Sequence, residues 1–308
     1  MPSLLPNQIH GPIAALLTPR TSSGLIDRDA LEANARFVLS CGARGLCLSG
    51  ATGEYSIATE QERVETLAWI RDIVPQDRLL LAGVGAPDAQ SAIRLAGRFQ
   101  AAGADLLLVP TPHFFPYPPA EIEEFYRFFA AATPLPVLIY NLPQFTSGVP
   151  LSVVLRLIET VPNIVGIKDS SGETATLRAL TERPHLAARR IIGNDNVFRT
   201  VLSGRLVDGC ISGVAGVLPE LTVACLQSAS DPALALLEEL IPHLGPFPTP
   251  WGLKLIAEAR GFFPARHAMP VSTGMQDEMS DFIDWFSNWW TAALSALATS
   301  SHTTLASR

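Results

Sequence analysis

The stretch PVLIYNLPQFTSGVPLSVVLRLIETVPNIVGIKDSSG, residues 136–172, contains one unit of the pattern that decides the fold. It opens on the apolar run Pro136–Tyr140 and closes on a second, Ile164–Lys168. Runs this short and this rich in Leu, Ile and Val read as strands buried on both faces, the habit of parallel sheets. Between them, Leu151–Thr160 has a helical period, with Val154, Leu155 and Ile158 on one face. The unit is strand, helix, strand.

Working outward, the same alternation recurs. Gly11–Thr18, Gly45–Ser49, Leu79–Val84 and Asp105–Val109 precede the unit, and Arg190–Gly193 and Asp208–Ser212 follow it. Helical patterns fill the gaps, as in Asp29–Ser40 and Asp88–Ala102, with Gly42 and Gly103 placed where helices commonly stop. Eight such alternations predict an α/β protein, a (β/α)8 (TIM) barrel, in preference to an open doubly wound sheet. The open sheet lacks its fingerprint, because Gly83-Val-Gly85-Ala-Pro-Asp88 is too short for GxGxxG and carries Pro87. After Ser212 the strands cease. Pro219–Ala229, Pro232–Leu244, Thr249–Ala259 and Met279–Leu297 read as helices. The expected division is therefore a barrel over 1–224, a C-terminal helical extension over 225–297 and a disordered tail over 298–308. Phe282, Trp285, Phe286, Trp289 and Trp290 form a stripe in the last helix, expected to pack against the barrel or a sister subunit.

The 308 residues hold a barrel of ~250 residues with an appendage. A composition 48% hydrophobic and 17% charged, with mean hydropathy +0.25, excludes a disordered chain. The formal charge of −7 argues against a protein built to grip a phosphate backbone. No apolar stretch reaches the ~18–20 residues of a membrane span, and MPSLLPNQIHGP lacks the pattern of a secretory signal. The expected address is the cytoplasm. Cys41, Cys47, Cys210 and Cys225 form no CxxC pair and read as small hydrophobes. The six histidines show no paired ligand spacing, so no metal is expected, and the Gly-x-Ser-x-Gly elbow of a serine hydrolase is missing.

In such a barrel, reactive groups stand at the C-terminal ends of strands. Strand six ends on Lys168, where partial desolvation favours the neutral amine that attacks a carbonyl. Strand five ends on Tyr140, whose phenol would serve as a proton shuttle. Strand two runs into Gly50-Ala51-Thr52-Gly53-Glu54, whose tight turn turns backbone N–H groups and the Thr52 hydroxyl toward a carboxylate.

Ordered along the chain, several motifs resemble the dihydrodipicolinate synthase/N-acetylneuraminate lyase family of Schiff-base aldolases. They are Thr18-Pro19 with Gly24-x-Ile26-Asp27, Gly50-Ala-Thr-Gly-Glu54, Gly83-Val-Gly85, Tyr140-Asn141-x-Pro143, Gly166-Ile-Lys168-Asp-Ser-Ser-Gly172, Gly193-Asn-Asp195 and Asp208-Gly-x-Ile211-Ser-Gly213. The resemblance implies that Lys168 forms an imine with pyruvate or another 2-keto acid and that Tyr140 moves the protons. It implies that Thr52, with the backbone at Ala51 and near Ile211, holds the carboxylate. Ser170, Gly193, Asp195 and Gly213 match positions that touch the distal, hydroxylated part of sugar-acid substrates. No cofactor is implied beyond the lysine imine. The implied partners are a 2-keto acid, an aldehyde or sugar acid, and sister subunits in a homotetramer or dimer.

Departures from the synthase pattern bear on the substrate. The first of two adjacent loop hydroxyls is replaced by Ala51, and His113-Phe114-Phe115 offers no phenol after strand four. Gln144 and Phe145 stand where synthases place an arginine for a second carboxylate, with Arg20 or a neighbouring subunit's arginine as the candidate substitute. The pattern is nearer to aldolases and dehydratases of 2-keto-3-deoxy sugar acids. Condensation of pyruvate with aspartate semialdehyde is the alternative, and a non-catalytic barrel that binds a sugar acid is the third reading.

Overall fold

Each apolar run becomes a strand because it has two cores to fill. The computed structural model describes residues 8–228 and 231–305, and in it eight parallel strands close into a barrel in chain order. The strands are β1 (Gly11–Ala15), β2 (Gly45–Leu48), β3 (Leu79–Gly83), β4 (Leu106–Pro110), β5 (Val137–Asn141), β6 (Ile164–Asp169), β7 (Arg189–Ile192) and β8 (Gly209–Ser212). Between and after them run α1 (Arg28–Ser40), α2 (Glu60–Arg71), α3 (Ala89–Ala101), α4 (Pro119–Ala131), α5 (Leu151–Thr160), α6 (Ala175–Thr181), α7 (Phe198–Ser203) and α8 (Pro219–Ser228). Helix starts follow local chemistry. Asp27 and Asp88 cap α1 and α3, and Thr59 and Glu62 form a reciprocal capping box on α2.

Alternate residues along a strand point to opposite faces. On β5, Val137 and Ile139 join the outer core against the helices, while Leu138 and Tyr140 join an inner core with Ile13, Cys47, Leu81, Leu108, Ile191 and Ile211. Both layers are apolar, which is why the runs show no alternation in sequence.

Strand β6 breaks the count. Val137 pairs with Ile164 but Leu138 pairs with Gly166, so one extra residue is inserted. Ile164 and Ile167, three apart, both face the outer core. The bulge thus reverses the parity of the strand, and Lys168 points into the barrel instead of toward the helices. Gly166 makes this possible at φ 155, where an added Cβ would stand 2.1 Å from the Arg189 carbonyl oxygen.

The C-terminal extension consists of α9 (Asp231–Leu244), α10 (Trp251–Ala259) and α11 (Thr273–Leu305). The last helix starts at Thr273, earlier than the expected Met279, and the tail set apart at 298–308 begins inside it, with 306–308 outside the described residues. The sequence division at 224 falls inside α8, and Ala229, the expected end of that helix, lies outside the described residues. Phe282, Phe286, Trp289 and Trp290 are buried in the outer core, and Trp285 stacks on His243 at 3.6 Å. The stripe packs inside its own chain. Arg260 fastens the extension to the barrel, pairing with Glu220 at 2.6 Å and lying over the rings of Phe37, Phe262 and Trp290 at 5.2, 4.8 and 5.0 Å. Among the described residues no helix is long and apolar enough to cross a membrane.

Candidate active site

Strands β5 and β6 place Tyr140 and Lys168 side by side as register partners at the C-terminal rim. Both are 4% exposed, and the Lys168 Nζ lies over the face of the Tyr140 ring, 4.1 Å from its centre. Among the described residues Lys168 makes no ion pair. The neighbouring carboxylate, Asp169, is occupied elsewhere: it accepts from Asn141 Nδ2 and from the Ser171 N–H, each at 3.0 Å. The Asn141–Asp169 bond ties the end of β5 to that of β6, and Asn141 in turn accepts from the Val149 N–H at 3.0 Å, holding the segment that leads into α5.

Beside the lysine the wall is shaped by what is missing. A Cβ on Gly193 would stand 2.3 Å from Lys168 Cε and 2.1 Å from Ser170 Oγ. Only glycine leaves room there for both side chains. Ser170 Oγ and Asp195 Oδ1 are buried and, among the described residues, have no hydrogen-bond partner. Asp195 is half-buried as a residue, yet burial of its carboxyl pushes it up to about 6, against the opposing pull of Ser212 and Lys168. Both residues line one cavity. The Cys47 thiol in the inner core is pushed by burial up to about 11, which leaves it unionised near neutrality.

Thr52 enters from the loop after β2. A Cβ on Gly213 would lie 3.0 Å from its Oγ1, so the loop packs directly on the end of β8. Thr18 holds the loop by donating to the Gly53 carbonyl at 2.9 Å, and Lys254 of α10 pairs with Glu54 at 2.7 Å.

A cavity of about 450 Å³ gathers all nine residues singled out from sequence: Ala51, Thr52, Tyr140, Lys168, Ser170, Gly193, Asp195, Ile211 and Gly213. Among the described residues Lys168 is the single cation in the wall, and no arginine lines it. Phe145 lines it, at the place of the expected arginine. Arg20 stays outside, held by Glu62 at 2.8 Å and by the Gly24 carbonyl at 2.7 Å. Gln144, which also lines the cavity, donates to the Ser170 carbonyl at 3.0 Å.

The sequence reading missed a whole side of the cavity. Ile241, Pro242, Leu244, Gly245, Phe247, Pro248, Thr249 and Pro250 close it from the end of α9 and the link to α10. Gly245-Pro-Phe-Pro-Thr-Pro250 between two helical patterns was the available signal. A second omission concerns lysine itself. The chain has two lysines against 20 arginines, and both, Lys168 and Lys254, are buried.

Known proteins agree with this architecture. The family model described as "Dihydrodipicolinate synthetase family" matches residues 8–251. A 4-hydroxy-tetrahydrodipicolinate synthase of Acidothermus cellulolyticus is 33% identical over 244 residues, 78% of each chain. A probable 2-dehydro-3-deoxy-D-pentonate aldolase of Escherichia coli is 30% identical over 238 residues, 75% of this chain and 78% of the other. In fold, the chain superposes on the 4-hydroxy-tetrahydrodipicolinate synthase from Methylacidiphilum fumariolicum with a TM-score of 0.85 at 22% identity, covering 94% of this chain and 99% of that one. A barrel whose strand-end lysine and tyrosine share one cavity, matched by this family over most of its length, is a lyase of the dihydrodipicolinate synthetase family.

Proposed function

We propose that the chain forms a Schiff base between Lys168 and a 2-keto acid, and that it cleaves or dehydrates a 2-keto-3-deoxy sugar acid. The Lys168 amine adds to the keto carbon, and the carbinolamine loses water to give an iminium. Tyr140 gives the departing hydroxyl its proton and takes one back when the imine is hydrolysed. In cleavage, the C3–C4 pair flows into the iminium as the C4 hydroxyl loses its proton, releasing an aldehyde and leaving the enamine of pyruvate. In dehydration, loss of a C3 proton gives the enamine, which expels the C4 hydroxyl as water. Thr52 and the backbone at Ala51 and near Ile211 hold the carboxylate.

The choice of substrate rests on one observation: among the described residues the wall supplies Ser170, Asn194, Asp195 and Thr249 but no arginine. A second substrate carboxylate calls for a charge-assisted partner, and an unpaired charge in a half-closed cavity is costly. Sugar hydroxyls need only neutral or carboxylate groups. The relative named as a pentonate aldolase fits this reading, while the relatives named as synthases keep condensation with aspartate semialdehyde as the alternative. The chain would act in the cytoplasm, as a homo-oligomer.

Borohydride added with pyruvate should attach the reduced adduct to Lys168, located by peptide mass mapping. Labelling of Lys254 with Lys168 untouched would sink the mechanism. A kcat/KM ratio then separates the substrates. A 2-keto-3-deoxy sugar acid should exceed aspartate semialdehyde, and the reverse order returns the synthase assignment.

A further inference from the structure

Lys254 does not line the cavity, yet it is as buried as Lys168, at 4% exposure. Its Nζ stands 2.7 Å from Glu54 Oε2 and donates to the Arg266 carbonyl at 2.7 Å. The Glu54 side chain is 11% exposed. Assembling so buried a pair costs desolvation that rivals the attraction gained, and a well-packed apolar pair would serve stability equally well. Stability alone does not explain the pair.

Its position does. The loop Gly50–Gly53 is bracketed by two non-glycine residues in left-handed backbone, Ser49 at φ 56 and Glu54 at φ 54. Such a conformation is disfavoured by a side chain and persists where the surroundings over-determine it. Thr18 fixes the loop from β1 by its bond to the Gly53 carbonyl, and Lys254 fixes it from α10 through Glu54. Leu253, the residue before Lys254, reaches the same place, because its Cδ1 and Thr52 Oγ1 lie 2.6 and 3.0 Å from one point, the Cβ position of Gly213. Helix α10 is thus set against the loop by adjacent residues. Charge adds a second reason. Glu54 follows Thr52 by two residues, and left uncompensated it would repel a bound carboxylate. The Lys254 ammonium offsets that charge at 2.7 Å while also donating to the Arg266 carbonyl.

We propose that the Glu54–Lys254 ion pair is a positioning device for the Thr52 loop, setting its hydroxyl and amide donors for the carboxylate of the keto acid. The inference rests on the reading of Thr52 as a carboxylate-binding residue. The pair touches no substrate, so its effect falls on affinity and leaves the imine chemistry intact.

The test is the pyruvate concentration that gives half-maximal borohydride trapping on Lys168, read by intact mass, with the thermal midpoint measured alongside. Lys254→Met removes the ammonium, and Glu54→Asp keeps both charges but shortens the reach. Both variants should need about tenfold more pyruvate, the scale of one charge-assisted contact, with full trapping at saturation. The rise should be larger in Lys254→Met, which also uncovers the Glu54 charge. A pair that is only structural would lower the thermal midpoint and leave half-saturation within twofold of wild type, and that result overturns the proposal. Should Lys254→Met not fold, Glu54→Asp decides alone, since aspartate tolerates left-handed backbone. Wild-type protein that fails to trap pyruvate on Lys168 defeats the functional reading beneath. Wild type that traps, beside variants that match it, defeats this inference only.

Discussion

Asp195 carries a pH dependence that can be worked out from one side chain. Its carboxyl titrates near 3.8 in an unfolded chain and at about 6 in the fold, because burial disfavours the charge. Between those values the folded state binds the extra proton, so stability falls as pH rises through this window and the full cost stands above about 6. Linkage sets that cost at up to about 3 kcal/mol. Asp195→Asn should therefore stabilise the protein by about 1–3 kcal/mol at pH 8, and the gain should vanish as the pH falls toward 4. Urea unfolding of both proteins at pH 5 and pH 8 checks it, and a gain independent of pH would refute the assignment. Lys168 and Tyr140 were legible as the last residues of apolar runs. The sealed oxygen of Asp195 was not, since it depends on what packs around a loop and not on the loop's own residues.

At the scale of the element, β6 shows where counting by twos misleads. Starting from Ile164, which faces the helices, strict alternation would put Lys168 on the helix side as well. The inserted residue turns it inward, and nothing in Ile164-Val-Gly-Ile-Lys168 announces the insertion except a glycine. Gly166→Ala should destabilise the protein by about 2–4 kcal/mol, through a Cβ driven onto the Arg189 carbonyl, and should impair pyruvate trapping. Gly97→Ala is the control. That glycine is exposed on α3 with open space around it, so alanine should add about 0.5–1 kcal/mol of stability. Thermal melts of the two variants measure the contrast, and equal effects would remove the bulge from the explanation of how Lys168 is aimed.

Across the whole molecule, the extension and the barrel form one unit around Arg260. Three rings and Glu220 surround its guanidinium, which also donates to the Val217 carbonyl. Arg260→Leu should cost about 2–4 kcal/mol, because Glu220 loses its partner and the rings lose a cation. A urea midpoint within error of wild type would show that α11 holds to the barrel by its tryptophans alone. The helices of the extension were visible as periodic patterns, and the burial of the tryptophan stripe followed from its spacing. That Gly245–Pro250 would wall the cavity was not visible, because sharing a cavity with residues as distant in sequence as Phe145 and Asn194 lies far beyond the reach of any local pattern.

The scarcity of lysine has a practical corollary. With both ammonium groups about 4% exposed, the folded protein presents no lysine to bulky amine-directed reagents, dyes or cross-linkers. A small keto acid enters by the cavity and meets one of the two, whereas a bulky activated ester meets neither until the chain opens. Such an ester makes the lysines a built-in chemical reporter of unfolding, with arginine carrying the positive charge of the surface as a silent background.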